Sequence, residues 1–365
     1  MYHMIILAGL MTSNLYAVEQ YSLFHSTRAL GRGGAYVAAF DSDEATRLNP
    51  ATLADSPITY QFRGWEVDGF VSQNVINTIG DIISSVNSSD GFGFIDKLEK
   101  KFGERHYGKT QWGIFSQRFG AFEIAFFANG ETHLELHNPI LPEFSGRFDS
   151  VVGANISYAF TLLQSIKLGI TLRPLYRYYL DGDIGFIDIM DFIPQDSKAS
   201  ADDYIQLVSG FGLGVDLGMI WSPTKEFRIG FLAQNIGDSE YFQDYGTEPP
   251  PIQQKLSTGL LYRLEPFSTW YWDFLIDIQG LVNRYGLNLL RLTHLGTEFG
   301  TSFFGYDNDI GFTMGINEGY VGGGLFFDLW ICRLQYVNYT VELGHSPGQV
   351  QDQRIAFSFN LKLTF

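Results

Sequence analysis

A single cysteine, Cys332, stands in the 365 residues, which excludes an internal disulfide framework and leaves no thiolate cluster for zinc or iron-sulfur. Basic residues are scarce as well: 24 lysines and arginines face 40 aspartates and glutamates, for a formal net charge of −16. That deficit argues against nucleic acid as a partner, because phosphate binding needs a basic stripe. Long apolar runs are also missing. After residue 17 no stretch reaches the roughly 20 apolar residues of a membrane helix, so a membrane would have to be crossed with strands. No Pro/Ser linker divides the chain, and one domain is the simpler reading.

Aromatics and glycine fill the space left by these absences: 32 Phe, 20 Tyr, 6 Trp and 40 Gly, a β-rich texture. The last stretch, RIAFSFNLKLTF, alternates throughout. Ile355, Phe357, Phe359, Leu361, Leu363 and Phe365 share one face, opposite Arg354, Ala356, Ser358, Asn360, Lys362 and Thr364. Ser165–Asp181 repeats the pattern, as does Leu207–Trp221, whose apolar face ends in tryptophan. Such runs exceed the roughly 5–6 residues of ordinary strands. They match membrane barrels, whose strands alternate apolar outward and polar inward between aromatic girdles.

The same habit predicts strands at Pro57–Val67, Thr110–Arg118, Ala121–Ala128, Glu131–Asn138, Phe148–Phe160, Phe227–Gln234 and Leu256–Arg263, then at Tyr271–Gly280, Leu292–Phe299, Gly311–Ile316, Val321–Leu329 and Arg333–Val341. The expected fold is therefore an all-β membrane protein, an antiparallel transmembrane β-barrel of about 14 strands over residues 57–365. Closure satisfies every backbone group, and the final strand, with Phe357, Phe359, Leu361, Leu363 and Phe365 toward lipid, would close the cylinder against the first. Met1 to Ala17 has the short apolar run and small-residue junction of a signal peptide. Between the first two strands, Val75, Ile76, Ile79, Ile82, Ile83 and Val86 recur at helical spacing, as do Phe94, Ile95, Leu98 and Phe102. Two short amphipathic helices are expected there, either capping the rim or lining an entrance, and Asp181–Asp203 is a second candidate cap.

Pro174 interrupts a long regular strand, where proline removes a ladder donor, and so marks a bulge or a seam. Arg173 and Arg177 bracket it on the inward face, as carboxylate-gripping groups or as partners of neighbouring acids. HLELH places His133, Glu135 and His137 on one face, but same-face neighbours about 6.6 Å apart rarely converge on one ion, so a polar lumen or loop face is the reading. Gly210, Gly212 and Gly214 precede no helix; their spacing suits a strand packed against a bulky plug. No Gly-x-Ser-x-Gly elbow or carboxylate pair points to catalysis.

STRALGRGGAYVAAFDSDEATRLNPATLADSP, Ser26 to Pro57, resembles the N-terminal segment of FadL-like outer-membrane proteins, with Arg28 in its entry, Gly33 and Gly34 in its glycine stretch, then Asn49-Pro50-Ala51. Gly210 to Asp238 and LGTEFG resemble the branch holding PorV-type and TraF-like barrels. The resemblance implies a barrel with residues 18–56 as a plug in its lumen, in the outer membrane of a diderm cell. A hydrophobic molecule would enter from outside and leave sideways through the wall, with Arg173, Pro174 and Arg177 as ligand-binding or lateral-gate residues. Expected partners are outer-membrane lipids, a hydrophobic small molecule, the barrel-assembly machinery and, on the alternative reading, a protein at the extracellular loops. No cofactor, metal or nucleic acid is expected. The alternative is a PorV-type secretion or assembly accessory that holds a partner protein; a barrel-borne lipid hydrolase would need a serine, histidine and carboxylate within reach of one another.

Overall fold

The computed structural model describes residues 19, 21–55, 59–88, 101–137, 143–185, 206–267, 269–282, 284, 286–302, 309–329 and 331–364. One antiparallel sheet holds fifteen strands. They are β1 (Tyr60–Ser72), β2 (Arg105–Phe119), β3 (Phe122–His137), β4 (Glu143–Leu163), β5 (Ile166–Gly185), β6 (Gln206–Trp221), β7 (Phe227–Gln234) and β8 (Tyr241–Tyr245). There follow β9 (Lys255–Phe267), β10 (Trp270–Gln279), β11 (Thr293–Ser302), β12 (Asp309–Asn317), β13 (Tyr320–Leu329), β14 (Cys332–Glu342) and β15 (Gln351–Thr364).

Every strand except β8 pairs with neighbours on both sides, and the pairing of β1 with β15 together with that of β5 with β6 closes a 14-stranded cylinder. β8 lies on the upper half of β6, where Gly212 faces Tyr241, while β7 takes the lower half, where Trp221 faces Ile229. Short turns, such as Gly120 at positive φ between β2 and β3, gather at the end that holds Tyr60 and Thr364. Most of the longer connections lie at the other end, as in outer-membrane barrels, although β12 and β13 join there through Glu318 and Gly319 alone.

Alternation orients most of the wall residues. On β15, Phe357, Phe359 and Leu361 are exposed while Arg354, Ala356, Ser358, Asn360 and Lys362 are buried. Leu363 pairs with Phe62 in the closing ladder, and Phe365 lies outside the described residues. The outward face is an apolar belt in a chain whose charged residues turn inward. Only hydrocarbon makes that arrangement stable, since water would leave the belt unburied. Trp221, Phe267, Trp270 and Trp272 ring the short-turn end as one girdle. Among the described residues no helix is long and apolar enough to span a membrane.

Several sequence expectations need correction. Ala121–Ala128 and Glu131–Asn138 are one strand, β3, because Asn129 and Gly130 stay in register with Gln111 and Thr110. The first strand begins at Tyr60 and continues to Ser72. Leu292 closes a helical turn, α3 (Leu289–Leu292), before β11 starts. Gly210 and Gly212 make room for Tyr241, Phe242 and Pro249 of the β8 return, whereas Gly169 and Gly218 face Pro50 and Ala51. The first expected helix is present as α2 (Gln73–Ser88). Phe94, Ile95 and Leu98, most of the Asp181–Asp203 cap and the Met1–Ala17 leader lie outside the described residues.

Candidate functional site

The interior is occupied by residues 21–55. Ser26 caps a short helix, α1 (Thr27–Gly31), its Oγ accepting from the Ala29 N–H at 3.1 Å. Gly33 and Gly34 follow at positive φ, where a side chain on Gly33 would strike the β11 and β12 backbones. Arg28 donates to Glu298 of β11 (2.9 Å) and to Tyr271 of β10 (3.0 Å), and Arg32 joins Asp41 to the same glutamate. Asp277 of β10 accepts from the Tyr36 and Val37 N–H groups at 2.6 and 2.9 Å. Asn49 donates to the Val37 carbonyl at 2.7 Å and accepts from the Ala51 N–H at 3.1 Å, which makes the Asn-Pro-Ala turn rigid. Asp43 pairs with Arg333 of β14 at 2.8 Å, and Asp55 with Lys167 and Arg228.

Ahead of α1 the chain forms a thinner strap. Glu19 is held by Arg354 of β15 (2.6 and 2.8 Å), the Ser22 carbonyl by Lys109, and the Leu23 carbonyl by Asn129. Gln111 clasps the backbone of His25 on both sides, at 2.6 and 2.7 Å. His133 bonds Glu131 at 2.6 Å, and Lys109 reaches the same carboxylate at 3.0 Å. The inward half of HLELH is thus a polar lumen face. Among the described residues no group of three ligating side chains could hold a metal.

Among the described residues, three cavities adjoin this strap. The largest, about 240 Å³, lies at the long-loop end between Glu19, Tyr21, Arg177, Tyr179 and the Pro250-Pro251 segment. A second, about 110 Å³, shares Glu19 and Lys255 with it and runs down past His25, Tyr36 and His294 to Phe24. The third, about 20 Å³, shares Phe24 and lies at the wall, lined by lumen-facing Arg63, Asn129 and Asn155 and by lipid-facing Trp112 and Phe126.

The wall is irregular where that third cavity meets it. The β1–β15 register shifts between Arg63 and Glu66, and the β2–β3 register shifts between Gly113 and Phe115. Between these two bulges, β1 and β2 are paired at Arg63–Ser116 and at Glu66–Gly113 but not at the two positions in between. The sequence reading missed this break. Its signal is the apolar neighbours Ile114 and Phe115, which both point outward and so cannot belong to one regular strand.

Pro174 faces outward on β5, and the β4–β5 ladder also breaks there: it stops at Gly153–Leu175 and resumes at Ile156–Leu172 in unchanged register. Arg173 and Arg177 point inward and are buried. Arg173 pairs with Asp216 and donates to Asn155 at 2.7 Å, while Arg177 holds Asp149 with two bonds of 2.9 and 2.6 Å. Arg177 also lines the mouth cavity; Arg173 lines none of the three.

A closed barrel with an apolar outer belt, an inner strap and charged lumen defines the chain as an outer-membrane β-barrel protein. Solved structures agree at the level of fold. The Pseudomonas putida toluene transporter TodX superposes at a TM-score of 0.50 with 10% identity over 97% of this chain and 100% of that one. The Ralstonia pickettii toluene transporter TbuX gives 0.50 with 11% identity over 96% and 99%. A Pseudomonas aeruginosa FadL homologue gives 0.47 with 10% identity over 96% and 99%. The expected closed antiparallel β-barrel is the fold observed. No protein-family model and no curated protein matches the sequence.

Proposed function

We propose that this barrel is a passive transporter of hydrophobic small molecules across the outer membrane, with residues 18–56 as its plug. The observation that carries the reading is the string of three cavities, which leads from the long-loop mouth along the strap to the wall break between β1, β2 and β3. A molecule entering at the mouth would reach Phe24 once the strap is displaced from Arg354 and Gln111, and the lipid phase once the wall break, whose own space is about 20 Å³, widens. Exit into hydrocarbon removes the substrate from water, so partitioning alone drives net movement. The toluene-transporter neighbours share the fold that supports this. Under this reading the exit lies at Gly64–Trp65 and Ile114–Phe115, Pro174 marks a second interruption, and Arg177 touches substrate at the mouth.

The test is a reversible staple. Trp65→Cys with Ile114→Cys, in a Cys332→Ser background, places two thiols at opposed register positions in the break. Oxidation should abolish uptake of radiolabelled toluene by cells expressing the protein, and reduction should restore it. Uptake no faster than in cells lacking the chain would overturn the proposal.

A further inference from the structure

From Ser22 to His25 the wall's hydrogen bonds end on strap backbone: Lys109 holds the Ser22 carbonyl, Asn129 the Leu23 carbonyl, and Gln111 both sides of His25. Phe24 is held differently. Its carbonyl accepts from Ser22 Oγ of the strap itself at 2.7 Å, and the wall grips its side chain instead. The ring meets Phe127 of β3 edge-on, with centroids 4.8 Å apart, and Arg173 Cζ of β5 lies over it at 5.0 Å from the centroid. Arg173 spends its in-plane N–H groups on Asn155, Asn235 and Asp216, so the flat face of the guanidinium is what remains for a ring. Val151, Leu175, Tyr241 and Ile252 are buried with Phe24 and Phe127 in one apolar cluster.

Position separates this ring from an ordinary anchor. Among the described residues, Phe24 alone lines both the cavity of about 110 Å³ and the wall space of about 20 Å³, and Phe127 lines the wall space beside it. The ring is thus the partition between the lumen path and the wall break. A molecule on that path has to move it, and the socket it vacates offers apolar walls, an aromatic edge and a cationic face. We infer that this socket is the resting site of the cargo, that the Phe24 ring is a tethered stand-in for it, and that the preferred cargo carries one aromatic ring. Strap and cargo then compete for the same contacts, so trimming the strap's ring tightens cargo binding. Water replaces the wall's bonds to the strap backbone, whereas an aromatic ring is what replaces Phe24 against Arg173 and Phe127. This inference rests on the transport reading and deepens it: Arg173, which lines none of the three cavities while the strap is in place, becomes a contact of the bound cargo.

Uptake of radiolabelled ethylbenzene and ethylcyclohexane by cells expressing the full chain tests it. Each half-saturating concentration is corrected for the probe's own partition into hexadecane, and folding is monitored by the heat-dependent gel shift of the barrel. The unmodified protein should half-saturate with ethylbenzene at a concentration about threefold to tenfold below that for ethylcyclohexane, the worth of one cation–π contact. Phe24→Ala should lower the half-saturating ethylbenzene concentration by about tenfold or more, because no buried ring then has to be displaced. Phe24→Leu, which leaves a smaller apolar group in the socket, should lower it by about threefold and supplies the same readout should the alanine variant fail to fold. A phenylalanine that merely blocks the path would instead raise the rate for both probes at unchanged half-saturation. A half-saturating concentration unchanged or raised in the folded variants, or equal values for the two probes in the unmodified protein, overturns the inference and leaves transport standing. Uptake of neither probe above cells lacking the chain overturns both.

Discussion

Gly218 on β6 lies directly beneath Asn49, so closely that a methyl group there would overlap the amide oxygen and come within 2.9 Å of Pro50 Cδ and 3.1 Å of the Ala51 nitrogen. The strand has no side chain at this level because the Asn-Pro-Ala turn takes its place. Gly218→Ala should therefore lift the turn or strain β6 and lower stability by about 1–3 kcal/mol, the usual range for overpacking. Urea titration of the folded gel band measures it; an unchanged midpoint would mean that the turn does not rest on the wall.

Arg173 and Asp216 form a buried pair across β5 and β6, and Asp216 also accepts from the Asn235 N–H at 2.8 Å. Arg173→Met leaves that carboxylate without its cation and should cost about 3–5 kcal/mol. Adding Asp216→Asn should recover much of the loss. Were the arginine a substrate ligand alone, stability would hold and only uptake would fall.

Glu318 sits at positive φ in the turn between β12 and β13, with its Oε2 accepting from the Glu342 N–H at 2.7 Å. Burial pushes its carboxyl up from 4.5 to about 7, against the opposing pull of Arg291 and the Glu342 N–H. A carboxyl raised on folding contributes stability that is complete below about pH 4.5 and is lost as pH rises through about 7. The turn should exchange amide hydrogens more slowly, relative to Glu318→Gln, at pH 5 than at pH 8. The glutamine variant should lack that pH dependence.

Phe357 faces lipid at the middle of β15 and lays its ring over Gly69 of β1, across the closing seam. Phe357→Arg should cost about 2–4 kcal/mol of barrel stability, the penalty of a cation near mid-membrane. Refolding into phospholipid vesicles under a denaturant gradient measures it, and a neutral result would place this face elsewhere than in hydrocarbon.

The barrel was legible because period-two alternation records which side of each strand meets lipid, and Gly210 to Trp221 keep it in their burial. Pairing was not legible. Arg173 finds Asp216 at a separation of 43 residues, and Arg28 finds Glu298 at 270, distances over which no local pattern reports register. β8 escaped notice because Tyr241–Tyr245 is short and set among acids. The wall break hid in a single extra residue, which shifts faces without changing composition. Gly33, Gly34 and Asn49 were found through resemblance to a motif, but their contacts belong to strands far along the chain.

The inner segment is made first, yet several of the groups that anchor it arrive late: Asp277, Glu298, Arg333 and Arg354 all belong to β10 or later strands. A finished cylinder gives so bulky a segment no passage to that nest of charges. A sheet that curls around a guest already lying on it meets those groups as each strand is added, and such an order would leave the β1–β15 seam until last. Folding and filling are one event in this protein, and a mutation that evicts the guest should be felt first as slow biogenesis.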